Sequence, residues 1–179
     1  MPAERGLAPD VTSGSSVPVM TGQHSKALTF DETRALAATL AGVAVVTASA
    51  ETGAPEAAWG DVFVFDAGTD DRRFPFATIV TRDQPGFDTA SDLDRPGVFR
   101  LNVHVGRDRF RDLIGYGPAE HAPHQGDHDY REPDRLLPHP VYAAQSWVSI
   151  VNPGPRCTEL ARDLLAGALD RERRRRGGR

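Results

Sequence analysis

Between residues 28 and 171 the apolar positions recur with periods that mark out alternating secondary-structure elements. Thr29 and Glu32 have the spacing of a capping box, and Leu36, Leu40 and Val43 follow at i, i+4 and i+7, so a helix is predicted from about Phe30 to Leu40 with Gly42 ending it. "VAVVTASA" predicts a first strand, and "AAWGDVFVFDAG" a second that is covered on both faces, because Val62 and Val64 point opposite to Phe63 and Phe65. "FPFATIVTRD" gives a third. In the fourth, "PGVFRLNVHVG", the alternation is clean: Phe99, Leu101, Val103 and Val105 share one face, Arg100, Asn102 and His104 the other.

A short helix in "RDRFRDLIG", a fifth strand in "SWVSIVNP" and a closing helix opening at Gly154–Pro155 complete the pattern. The closing helix carries an apolar stripe of Cys157, Leu160, Ala161, Leu164, Leu165 and Ala168. The order α-β-β-β-β-α-β-α, with Gly- and Asp-containing connections, implies an α+β two-layer sandwich. Its sheet of about five strands is mainly antiparallel, with the helices on one face. Residues 1–27, dominated by Ser, Gly, Pro and Thr, read as a disordered tail without a secretory signal, and Met20 is a candidate translation start besides Met1. Residues 28–171 form the single expected domain, and residues 172–179 a basic, frayed tail.

Composition narrows the function classes. No long apolar run exists, so no membrane span is expected. A single cysteine, Cys157, excludes an internal disulfide and fits a cytoplasmic protein. The net charge of −4 does not favour general nucleic-acid binding, but it is unevenly spread: from Arg156 onward eight arginines face four acids. Arg107, Arg109 and Arg111, with Arg173 and Arg174 of "RERRRR", are therefore the candidate phosphate contacts of a nucleic-acid-binding alternative.

Three groups of polar residues carry candidate chemistry. Arg100, Asn102 and His104 stand roughly 7 Å apart on one strand face and suit a small polar or anionic ligand: arginine for charge, asparagine for orientation, histidine for a proton. Trp59 and Asp61 in "AWGD", and His139 fixed between Pro138 and Pro140, would border that face. "EHAPHQGDHDY" brings His121, His124 and His128 close in sequence. Pro123 and Gly126 oppose a regular helix through them, no cysteine assists and no HExxH pattern exists, so they read as a solvated loop and only a weak metal candidate. The acidic loop "RDQPGFDTASDLDRPG" lacks EF-hand spacing, and its Asp83, Asp88, Asp92 and Asp94 are expected to pair locally with Arg82 and Arg95. Its length in a compact domain suits a lid. Cys157 is expected to pack inward rather than act as a nucleophile, and no catalytic motif or cofactor fingerprint is present.

The stretches "APEAAWGDVFVF", "FATIVTRDQPGFDTASDLDRPGVFRLNVHVG" and "LLPHPVYAAQSWVSIVNPG" resemble the uncharacterised bacterial domain-of-unknown-function family 6194 over Leu28 to Arg171. More distantly, the plan is similar to the MmcQ/YjbR family, with Trp147 in that family's tryptophan strand. This resemblance implies a CyaY-like sandwich, also described as a double-wing fold and suggested to bind DNA. The expectation is thus a non-catalytic binding or interaction module with a polar ligand face on the fourth strand and no cofactor. The alternatives are a nucleic-acid-binding protein, or an enzyme acting on a small anion through His104 or His139.

Overall fold

The computed structural model describes residues 26–68 and 74–178. The expected N-terminal tail and the choice between Met1 and Met20 fall outside them. Helix α1 spans Phe30–Ala38, and both halves of its capping box form: Thr29 Oγ1 accepts from the Glu32 amide at 3.2 Å, and the Glu32 carboxylate accepts from the Thr29 amide at 2.8 Å. Strands β1 (Val43–Thr47), β2 (Val62–Asp66), β3 (Ala77–Val80) and β4 (Arg100–His104) form the antiparallel meander that the alternation predicted. Helix α2 (Arg107–Ile114) ends at Gly115.

The sheet has six strands in the order β1-β2-β3-β4-β6-β5, with every ladder antiparallel. The strand beyond the expected five is β5, Leu136–Pro138, too short to show a period. Its Pro138 is tolerated because β5 is an edge strand, where an amide is not needed on the outer side. Strand β6 (Trp147–Val151) inserts between β5 and β4, and so sets Trp147 opposite His104 and Ser149 opposite Asn102.

One face of the sheet is the core. Val62, Val64, Ile79, Leu101, Val103, Val148 and Ile150, all buried, pack against Leu36 and Ala37 of α1 and Ala161, Leu164, Leu165 and Ala168 of α3. Helix α3 spans Thr158–Gly177. It therefore reaches to Gly177, well into the segment expected to fray, and Arg171, Arg173 and Arg176 are tied back to the domain: Arg171 to His104, Arg173 and Arg176 to Asp66. No helix among the described residues is long and apolar enough to cross a membrane.

The start of α3 is held by Asp134, twenty or more residues earlier in the chain. One carboxylate oxygen accepts from the amides of Gly154 and Cys157, both at 2.8 Å, and the other from the Arg156 amide at 3.0 Å. A Cβ on Gly154 would lie 2.7 Å from this carboxylate, so glycine is what permits the approach. Burial pushes the Asp134 carboxyl up, but the backbone donors outweigh it and hold it below its ordinary value. Asp134→Ala is expected to cost about 2 kcal/mol, read as a lower urea midpoint at unchanged denaturant slope. A loss below a few tenths would show that these bonds do not organise the helix start.

Candidate functional site

The other face of the sheet carries Phe63, Phe65, Thr78, Val80, Arg100, Asn102, His104 and Trp147. It is not bare to solvent. Residues 82–96 fold over one part of it and residues 139–146 over another, and between them and the sheet lies a cavity of about 1060 Å³. The burial expected for a half-covered sheet is thereby exceeded: Arg100 and Asn102 are each only 2% exposed.

Arg100 is the largest of the fully buried side chains, and its guanidinium is heavily bonded. Nε donates to Asn102 Oδ1 at 2.8 Å, and Nη1 to Ser91 Oγ at 2.8 Å and to Asp88 Oδ1 at 3.3 Å. Nη2 donates to Asp88 Oδ2 at 2.5 Å. The charge expected to meet an anion is thus already met by Asp88, a two-point guanidinium–carboxylate pair. Asn102 passes the chain on, its amide donating to Thr78 Oγ1 at 3.0 Å.

Asp88 reaches Arg100 because the covering loop is itself built. A tight turn with Gly86 at φ +77° closes Gln84 onto Asp88, the Asp83 carboxylate accepts from the Leu93 amide at 2.9 Å, and Leu93 is buried. Arg95 pairs with Asp92 at 3.3 Å, as the local-pairing expectation had it, whereas Arg82 donates to the Trp59 carbonyl and Asp88 turns inward. At the mouth of the cavity Phe87 of this loop packs on Tyr142, ring centroids 5.9 Å apart.

His139 is 3% exposed, on the cavity floor. Its Nδ1 accepts from the amides of Val141 at 3.0 Å and Tyr142 at 3.1 Å, the turn that Pro138 and Pro140 shape. Burial, and then the positive charge of Arg100, push its pKa well below the ordinary value. His104 stacks on Trp147 with centroids 5.4 Å apart and 11° between planes, and its Nδ1 accepts from Arg171 Nη2 at 2.7 Å. Burial first, then Arg171 and Arg175, bring it down to about 4. Asp61 is buried at the cavity margin, with Oδ1 accepting from the Thr81 amide at 2.9 Å. Burial raises its pKa against those bonds.

Five of the six residues proposed from sequence for a ligand face therefore line one cavity: Asp61, Arg100, Asn102, His104 and His139. Trp59 does not. It is partly exposed, with its indole N–H donating to the Ala54 carbonyl at 3.0 Å. The sequence reading missed most of the walls. Phe63, Phe65, Phe74, Phe76, Phe87, Tyr142 and Trp147 give an aromatic lining, and Glu172, Arg175 and Arg176 reach in from the end of α3. Among the lining residues, the arginines 82, 100, 175 and 176 equal in number the acids Asp61, Asp66, Asp88 and Glu172, so with neutral histidines the formal charges cancel.

The histidine-rich stretch keeps much of the exposure expected of a solvated loop, with Ala122, Pro123, Gln125, Gly126, Asp127 and Asp129 exposed, but it is ordered. It folds into short 3-10 turns over Pro118–Glu120 and Ala122–Asp127, and His121 is buried. Aromatic stacking supplies the order: the His124 ring lies 4.2 Å from that of Tyr116, and the Tyr116 hydroxyl sits between His121 Nδ1 at 3.0 Å and His128 Nε2 at 3.1 Å. Among the described residues no group of three or more His, Cys, Asp or Glu side chains is arranged to hold a metal ion. Of the arginines considered for nucleic acid, Arg107, Arg109 and Arg111 are exposed on α2 and Arg174 is exposed on α3, while Arg173 lies 3.7 Å from Asp66. Cys157 is buried at the start of α3, and burial, with Asp134 beside it, pushes its thiol up to about 11.

No curated protein and no solved structure matches this chain. The profile of a family of unknown function, DUF6194, matches residues 28–179, and the chain belongs to that family.

Proposed function

We propose that this protein is a small-molecule-binding module whose site is the cavity over the outer face of the sheet. The observation that carries the reading is convergence. Arg100, Asn102 and His104 from β4, and His139 from the turn after β5, meet at the floor of one cavity whose walls are largely aromatic. Mostly apolar walls with a few fixed polar groups are what a specific small-molecule site requires, and about 1060 Å³ is room for a molecule of drug or metabolite size.

Binding is favoured over catalysis by the commitments of the candidate acid–base groups. His104 Nδ1 is occupied by Arg171, and His139 Nδ1 by two backbone amides. The Cys157 thiol is held protonated on the helix side of the sheet, away from either histidine. The distant kinship with the MmcQ/YjbR family is supported by element order, from opening helix through meander and short helix to a tryptophan strand and closing helix. A cytoplasmic location is supported by the single free, buried cysteine.

Trp147 lines the cavity and Trp59 does not, which gives a direct test. In a Trp59→Phe variant, Trp147 is the sole indole. Titration with a fragment library should give saturable changes in its emission for a subset of compounds. A library without any saturable response would defeat the binding reading.

A further inference from the structure

The cavity floor also indicates what kind of ligand it takes, an inference that rests on the binding reading above. His139 Nδ1 accepts two backbone N–H bonds, so that nitrogen carries a lone pair and no proton. In the neutral ring the proton must then be on Nε2. Nε2 lies 3.4 Å from Arg100 Nη2, and a guanidinium nitrogen only donates. The contact is therefore donor against donor and is no hydrogen bond. One N–H of Arg100 and the Nε2–H of His139 thus face each other on side chains 2% and 3% exposed, and no other acceptor for Nε2–H is found among the described residues. Buried donors without an acceptor are costly, and a single oxygen with two lone pairs could satisfy both.

The charge of that oxygen follows from the surroundings. Asp88 already holds Arg100 at two points, and the formal charges of the lining cancel. A full anion brought to the floor would sit beside the Asp88 carboxylate and would have to displace it or bear the repulsion. A neutral carbonyl oxygen meets the two donors without that conflict. The aromatic rings of Phe63, Phe65 and Trp147 offer it an apolar, planar surround.

We propose that the cavity binds an uncharged, largely aromatic molecule through a carbonyl-type oxygen seated between His139 Nε2 and Arg100 Nη2.

The test uses three probes of equal heavy-atom number on the full chain, 2-acetylnaphthalene, 2-isopropenylnaphthalene and 2-naphthoate, titrated with backbone-amide NMR as the readout. The ketone should bind about tenfold more tightly than the hydrocarbon, the gain of pairing two donors left unmet otherwise, and more tightly than the acid. His139→Asn places an amide oxygen where Nδ1 accepts but removes the distal N–H. It should erase the preference for the ketone, so that ketone and hydrocarbon bind the variant with equal affinity. Equal affinities for ketone and hydrocarbon in the wild type, or a preference that survives His139→Asn, would overturn the proposal and leave cavity binding standing. Tightest binding by the acid would overturn it in favour of an oxyanion site that expels Asp88. Failure of all three probes to bind would overturn both this proposal and the reading on which it rests. The wild-type ranking decides the matter even if the variant does not fold.

Discussion

Replacing Arg100 with methionine should lower the folding stability by about 3–5 kcal/mol, the usual cost of breaking a buried ion pair by removing one partner. Methionine fills the stem of the arginine, so lost volume is a minor part of the effect. The larger part is the Asp88 carboxylate, only 11% exposed, which would be left without its two-point partner. Ser91 Oγ and Asn102 Oδ1 would each lose a donor as well. Arg100→Met combined with Asp88→Leu should recover most of the loss, because replacing both members of a buried pair by apolar groups is often neutral. Urea denaturation of the two single variants and the double variant measures the coupling. A single-variant loss under about 1 kcal/mol, in the range of an exposed pair, would mean that the 82–96 loop does not close over the sheet in solution.

Stability should also fall as the pH is lowered from about 6.5 towards 5. The folded pKa of His104 is near 4 and that of His139 is well below the ordinary value, both first through burial. The unfolded chain therefore takes up protons in this window that the folded chain does not, so the folded state loses ground as the pH falls. For His104 the loss amounts to roughly 1.5 kcal/mol between pH 6.5 and pH 5, with the unfolded chain titrating near the ordinary value, and His139 adds to it in the same direction. His121 and His128 act in the same direction: burial and then His128 and His124 lower His121, and burial lowers His128 against the opposing charge of Asp127. His139→Asn should flatten the pH profile by its own share. Equal stability at the two pH values would show that these rings are hydrated and titrate normally in the folded protein.

Much of the site was legible in the sequence for a plain reason. The alternation in β4 assigns faces with a period of two, so Leu101 and Val103 inward requires Arg100, Asn102 and His104 on the opposite face. The same rule cannot say what covers that opposite face. Whether Arg100 meets solvent or Asp88 depends on a turn at Gln84–Asp88 whose position over the sheet is a tertiary fact, twelve residues away in sequence. His139 was singled out by its two flanking prolines, and the tautomer that gives it chemical interest became visible only with the amides of Val141 and Tyr142 in place.

The misses share that origin. β5 is three residues long and too short to display a period. The histidine stretch carries Pro, Gly and polar residues, the usual marks of a loop, yet stacking of His124 on Tyr116 gives it order. The arginines at the end of α3 read as a solvated run because their partners, Asp66 and His104, lie on strands far away in sequence.

The central claim is that the outer face of the sheet, and not the helix face or the exposed arginines of α2, receives the ligand. Its most direct measurement is a backbone-amide NMR shift map of the wild-type protein saturated with 2-acetylnaphthalene. Shifts should cluster at Thr78, Asn102, Tyr142 and the Trp147 indole, with the amides of Ala161 to Ala168 beneath the other face unmoved. Shifts concentrated on Arg107 to Arg111, or spread along α3 with β4 silent, would contradict the account.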